Sequence, residues 1–447
     1  MKVKNIIKYV FAAFLMLQLS SCNSNTDAEQ LFDKTPTERL EVQKSELNDA
    51  LLASEFGWKA VYFTDNTVLG GYTHLFRFTE NGNVEMASDF DDDTAVYKSE
   101  YAIQLGSTVS LVFTTKNRIH LLSESDNYPI PALRAKGYLG DFQFLYYGQE
   151  NGQIIFKANR NNTEIRFVKA TAQDWIDLPK NLVTEQNVIG GDSRPLFRLL
   201  ETNDGTTKHQ FDFTFSPVTR FAEANSIETG FSFSYEMGVG YTPTGIIVSP
   251  AVEVGGQKLT DFVYNSTDGS FTATGTGGVS AVIKYTDKPL VLTDDYKILL
   301  AGQATAAFGF YPDDYTMDAT TNSALFYTEL ERINASLPAG QEISSVQLYF
   351  NHSLGNFIYY TFVGRSALFH YVDVVADNTG KKIILKHKSW NGNTTVATPA
   401  FLANFDKYLM DPNGLYVKKE SFRLVYTNTV YTFASSTSPF RITTWKL

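Results

Sequence analysis

The chain has 447 residues, 14% of them aromatic and 19% charged, with a single cysteine and a net charge of −10. The acidic balance speaks against nucleic-acid binding, which needs a basic face to meet phosphate, and one cysteine leaves no intrachain disulfide to brace the fold. At roughly 150 residues per domain the length allows two or three domains, each large enough to bury its own core.

The first eight residues carry Lys2, Lys4 and Lys8, and an apolar run from Tyr9 to Leu17 follows. That run is too short to span a bilayer as a helix, which takes roughly 20 residues, and its flanks are those of a removable export signal. Leu19-Ser20-Ser21-Cys22 resembles the lipobox of bacterial lipoproteins, in which the cysteine is acylated and becomes the mature N-terminus. The expectation is an export signal over 1–22, lipidation at Cys22 and a protein anchored in the outer membrane, facing the periplasm or the cell surface. Residues 23–34 are small and polar and read as a flexible tether.

Thr35-Pro36-Thr37-Glu38 supplies a cap, a first-turn proline and an acidic residue at the positive end of a helix dipole, so an amphipathic helix is predicted over Thr35 to Ser54. Alternating, aromatic-rich segments then predict strands at Trp58 to Phe63, His74 to Thr79, Val84 to Ala87, Tyr97 to Leu105, Ser110 to Thr115, Asp141 to Tyr147, Ile154 to Ala158 and Glu164 to Lys169. Asn81-Gly82 and Asn151-Gly152 suit type I′ hairpin turns, whose two central residues both need positive φ. A short capped helix over Thr171 to Lys180 marks a boundary. A second β region is read at Gln210 to Phe215, Gly230 to Tyr235, Gly245 to Val248, Phe262 to Tyr264 and Val279 to Tyr285. The third begins with helical character at Ser323 to Asn334. Strands follow at Ser345 to Phe350, Asn356 to Val363, Ala367 to Val375, Lys382 to His387, Ser421 to Tyr426 and Thr429 to Phe433, with a short helix at Phe401 to Tyr408. The fold class is thus mainly β: an N-terminal helix, then antiparallel hairpin-rich sandwich or barrel-like domains, two to three in tandem, divided as 35–170, 171–290 and 291–447. No fixed repeat period is found.

Leu31-Phe32-Asp33-Lys34, Gly57-Trp58, Gly70-Gly71-Tyr72, Phe76-Arg77-Phe78, Asn81-Gly82-Asn83-Val84, Leu111-Val112-Phe113 and Gly140-Asp141-Phe142 stand in an order that resembles a Bacteroidota lipoprotein family known only as domain of unknown function 4302. The resemblance covers the N-terminal third. It implies a nutrient-capture setting beside outer-membrane importers of the starch-utilisation type, and it carries no catalytic residues. Gly57-Trp58 also looks superficially like the first strand of lipocalins.

The compact signatures of exported enzymes are missing: no His-Glu-x-x-His, no Gly-x-Ser-x-Gly, no phosphate-binding glycine loop and no cysteine nucleophile. The six histidines, among them His370 and His387, are scattered singly and read as packed or rim residues. Two local patterns stand out. Asp89, Asp91, Asp93 and Glu100 occupy positions 1, 3, 5 and 12 of a calcium loop, although Thr94 stands where the tight turn wants glycine and the flanks are strands. The competing reading is a solvated acidic hairpin loop that guards a sheet edge. Trp390, Asn391 and Asn393 flank a turn where an exposed indole could stack on a sugar and the amides could bond its hydroxyls. No cofactor other than calcium is implied. The leading reading is a non-catalytic, lipid-anchored protein that binds a glycan or peptide nutrient or docks on an importer complex. A hydrolase with an unrecognised carboxylate site and a purely structural surface module are the alternatives.

Overall fold

The computed structural model describes residues 35–190, 197–286 and 288–447. The expected export signal, Cys22 and the tether lie outside the described residues. Helix α1 (Pro36–Leu52) opens the described chain with the anticipated cap: Thr35 Oγ1 accepts from the Glu38 N–H, and the Glu38 carboxylate accepts from the Thr35 N–H at 2.8 Å. The helix buries Leu47, Ala50 and Leu51 against the first barrel, and the Trp58 indole N–H ties it down by donating to the Leu51 carbonyl at 2.9 Å.

Three closed eight-stranded barrels follow in tandem, each a meander of sequence-adjacent antiparallel strands. The first comprises β1 (Trp58–Phe63), β2 (Gly71–Phe78), β3 (Asn83–Ser88), β4 (Tyr97–Leu105), β5 (Val109–Phe113), β6 (Gln143–Glu150), β7 (Gln153–Ala158) and β8 (Glu164–Lys169), and β8 returns to β1. Helices α2 (Ala172–Asp177) and α3 (Lys180–Ile189) lead to the second barrel: β9 (Phe197–Asp204), β10 (Lys208–Ser216), β11 (Phe221–Ser226), β12 (Ser234–Thr242), β13 (Gly245–Val254), β14 (Gln257–Asn265), β15 (Ser270–Thr274) and β16 (Val279–Thr286). The third holds β17 (Ala306–Phe310), then α4 (Ala324–Ala335), β18 (Ile343–His352), β19 (Gly355–Phe362), β20 (Arg365–Asp377), β21 (Lys382–Trp390), α5 (Ala403–Leu409), β22 (Leu415–Lys419), β23 (Val430–Ser435) and β24 (Arg441–Lys446). Of the two architectures left open by the sequence, the barrel is the one formed. Among the described residues no helix is long and apolar enough to cross a membrane.

Strand alternation builds a separate core inside each barrel. Trp58, Ala60 and Tyr62 point inward from β1, and Phe76 stacks on Phe167 across the first barrel at 4.7 Å. Phe211, Val239 and Phe271 fill the second, and Phe308, Phe350, Tyr360 and Phe433 the third.

Several local expectations are corrected. At Asn151-Gly152 both residues have positive φ (49° and 77°), as a type I′ turn demands, but at Asn81-Gly82 only Gly82 does (77°), so that hairpin turns through one left-handed glycine. Residues 421–426 form an irregular loop between β22 and β23, and Phe231 and Phe233 lie in the loop before β12.

Candidate functional site

The acidic stretch after β3 does not gather its four carboxylates. Asp89 is fully buried at the seam with the second barrel, where it accepts from the Thr73 N–H of β2 (2.8 Å), Asn181 Nδ2 of α3 (2.7 Å) and Arg220 of the second barrel (3.1 Å). Asp91 is paired with Arg118, whose guanidinium also lies 3.7 Å from Asp93. Asp93 accepts from the Tyr97 hydroxyl at 2.6 Å, and that bond holds its carboxyl below the usual range. Glu100 stands apart on exposed β4. The calcium-loop spacing therefore fails for a physical reason: Thr73, Asn181 and Arg220 hold Asp89 in a buried network away from its neighbours, and Arg118 already neutralises the middle pair. Among the described residues no group of three or more His, Cys, Asp or Glu side chains could hold a metal.

Trp390 is corrected too. It is 1% exposed, stacked on His370 at 4.2 Å inside the third barrel, with its indole N–H donating to Thr398 Oγ1. The turn begins one residue later, where Asn391 and Gly392 take positive φ. Asn391 uses both backbone and side chain to extend the sheet, donating from its N–H to the Phe369 carbonyl and accepting at Oδ1 from the Phe369 N–H. Asn393 Oδ1 is taken by Thr395.

Two histidines that look isolated in sequence meet here. Asp406 on α5 accepts from the Tyr360 hydroxyl (2.9 Å) and bonds His370 Nδ1 (2.7 Å), and His370 Nε2 bonds His387 Nδ1 (2.8 Å). The chain runs from a buried carboxylate to an exposed imidazole.

The concavity that can take a ligand lies elsewhere, between the mouth of the second barrel and the wall of the third. It is a cleft with about 120 Å³ of room for water-sized groups, continuous with solvent. One side carries Arg198 and Phe197 from β9, Asp212 from β10 and Tyr285 from β16; the other carries Tyr416 and Lys418 from β22 and the loop residues Glu420 and Phe422. Phe197 meets Tyr416 edge-on at 6.1 Å across the two barrels. Arg198 lies over the faces of Phe213, Phe215 and Tyr285 at 5.4 to 5.9 Å and donates to the Val188 carbonyl; burial pushes its pKa down. Burial raises the Asp212 carboxyl, against a weaker lowering by Lys418. Glu420 is 4% exposed; Lys418 lies 3.3 Å from its Oε2, while its Oε1 has no hydrogen-bond partner among the described residues. Aromatic faces, donors and acceptors thus converge in an open cleft at a boundary between domains, where ligand sites concentrate. Sequence reasoning did not find this cleft, because its walls come from strands about 200 residues apart and no local motif marks them.

A family described as "Domain of unknown function (DUF4302)" matches residues 28–266, past the N-terminal third and through β14 of the second barrel. No curated protein matches. Among solved structures the chain is similar to the DNA polymerase sliding clamp from Bacillus subtilis, at 9% identity over 90% of this chain and 97% of that one, with a TM-score of 0.16. At that score the likeness carries no argument.

Proposed function

The chain belongs to the DUF4302 family, and from that premise we propose that it is a non-catalytic, lipid-anchored outer-membrane protein that captures an oligosaccharide nutrient in the cleft between its second and third barrels. The observation that carries the reading is the cleft itself, where the rings of Phe197, Tyr416 and Phe422 lie beside polar groups such as Asp212 and Lys418. Sugars present apolar C–H faces to aromatic rings and hydroxyls to such groups. An extended peptide is the weaker fit, since it binds by adding a strand to a free sheet edge, and each of the three sheets closes on itself.

Anchoring through Cys22 agrees with this role, because a tethered binder raises the local ligand concentration beside an importer without chemistry of its own. Docking on an importer of the starch-utilisation type belongs to the same proposal. One observation favours the hydrolase as a second reading: Asp212, with its raised carboxyl, and the buried Glu420 line the same cleft.

A glycan array run on the intact protein and on Tyr416→Ala, with product analysis alongside, tests both readings. The expected outcome is retention of an oligosaccharide without turnover, weakened about tenfold by the loss of one stacking ring. Retention unaffected by Tyr416→Ala would remove the cleft from the account, and turnover would replace the binder with the hydrolase.

A further inference from the structure

We infer that the ligand of this cleft is an acidic oligosaccharide, one whose sugar carboxylate is gripped by Arg198. The inference rests on the reading of the cleft as a glycan site and names the class of glycan. A guanidinium offers five N–H donors in a planar fork. Among the described residues Arg198 spends them on one hydrogen bond, to the Val188 carbonyl, and its other close neighbours are the rings of Phe213, Phe215 and Tyr285. Among the described residues no carboxylate is paired with it. A half-buried cation left in that condition is costly, because its lost hydration is returned only by one carbonyl and by ring faces.

Other cations of the cleft are already engaged. Lys381 is paired with Asp294 at 3.0 Å, Lys418 with Glu420 at 3.3 Å, and Arg441 Nε donates to the Thr321 carbonyl. Arg441 is buried (4% exposed), so among the described residues Arg198 is the partly exposed cation of the cleft that an incoming anion meets without first displacing a carboxylate. A carboxylate matches the fork bidentately, which a lone hydroxyl cannot do. Its position at the mouth of the second barrel, with Tyr416 and Phe422 on the far wall, lets an acidic sugar ring reach the guanidinium while a neighbouring ring lies against the aromatics.

The test is calorimetric titration of the intact protein with trigalacturonate and with galactotriose, a neutral sugar of the same length. Trigalacturonate is expected to bind about tenfold or more tightly, with an affinity that falls as salt rises. Arg198→Gln should bring it down to the affinity of the neutral sugar, and Arg198→Lys should recover part of the difference, since charge returns without the fork. Equal affinity of the native protein for the two sugars overturns the anionic preference and leaves the glycan reading standing. A preference that persists in Arg198→Gln or is fully restored in Arg198→Lys, each with an unchanged melting temperature, overturns the assignment to the Arg198 fork. No binding of either sugar to the folded native protein overturns the inference and the glycan reading together.

Discussion

Single residues were legible in sequence only where their neighbours are close in sequence. Trp390 precedes an Asn-Gly turn and so reads as an exposed tip. A register shift between Tyr371 and Val372, where β20 faces β21, decides otherwise. It puts Ile383 and Leu385 on the inner face and then, after one extra residue, Trp390 on that face as well. Nothing in the local pattern announces a bulge of this kind. The same holds for His74, which is 0% exposed and whose two ring nitrogens have no partner among the described residues. Burial, helped by Arg118 and Arg220, lowers its pKa to about 3. Between pH about 3 and 6.5 the unfolded chain thus holds a proton that the folded chain refuses, so stability falls as the pH drops through that window. Going from pH 7 to pH 5 should cost about 2 kcal/mol through this group alone. That interval lies above the acid limb contributed by Glu201, whose pKa is lowered to about 2 chiefly by its hydrogen bond with Lys208. Urea denaturation of the native protein and His74→Phe at the two pH values checks this: the variant should lose most of the difference, and an equal difference in both would assign the acid sensitivity elsewhere.

At the scale of elements the sequence was most informative where one signal dominated. Trp58–Phe63, Tyr97–Leu105 and Glu164–Lys169 form the anticipated strands to the residue, because strict alternation with aromatic or β-branched residues has no helical equivalent. Most of the strands that escaped are short or polar: β9 ends in Glu-Thr-Asn-Asp, β11 reads Phe-Ala-Glu-Ala-Asn-Ser, and β15, β17 and β22 have five residues each, while β24, Arg-Ile-Thr-Thr-Trp-Lys, escaped despite its β-branched and aromatic residues. In the short and polar ones, strand conformation comes from pairing partners on both sides, not from propensity. Conversely, Ser421 to Tyr426 is aromatic and apolar enough to suggest a strand but finds no partner and stays a loop, which is how Phe422 comes to line the cleft. Helix α1 shows local and tertiary signals separating within one element. Its capping box sits at the exposed end, and Leu47, Ala50 and Leu51 hold the other end on the barrel. Thr35→Ala should therefore cost about 1 kcal/mol locally. The expected result is faster amide exchange in the first turn of α1 with protection of the first barrel unchanged; faster exchange throughout that barrel would mean the cap braces more than the helix end.

The whole molecule is three similar barrels joined in two different ways, and this explains why no repeat period is visible: what recurs is an eight-strand meander, while its loops and inserted helices vary in length. The second and third barrels leave a cleft between them. The first and second are locked by a buried polar knot. Arg220, 3% exposed, reaches from the loop between β10 and β11 to Asp89 of the first barrel (3.1 Å) and to the Gly71 carbonyl (3.2 Å). It is sandwiched between Tyr72 and Tyr241 at 4.4 and 4.3 Å. Asn181 of α3 closes the knot by donating to Asp89 and to the Tyr241 carbonyl. The backbones approach so closely that a Cβ on Gly70 would fall 2.3 Å from the Arg220 carbonyl oxygen, and one on Gly238 would fall 2.4 Å from the Leu69 carbonyl oxygen. Removing one partner of a buried pair costs about 3–5 kcal/mol, mostly by leaving the other charge dry and unmatched. Here the survivor would be Asp89, with two hydrogen bonds remaining from Thr73 and Asn181. Because each barrel keeps its own apolar core, that loss falls on the seam and not on the cores. Arg220→Ala should therefore separate the unfolding of the first barrel from that of the second, so that a calorimetric trace fused in the native protein splits into resolved transitions. Arg220→Lys should restore the charge but neither the fork nor the packing between the two tyrosine rings, and fall between. A single transition merely displaced to lower temperature in Arg220→Ala would show that the apolar contacts of the seam couple the barrels without the knot.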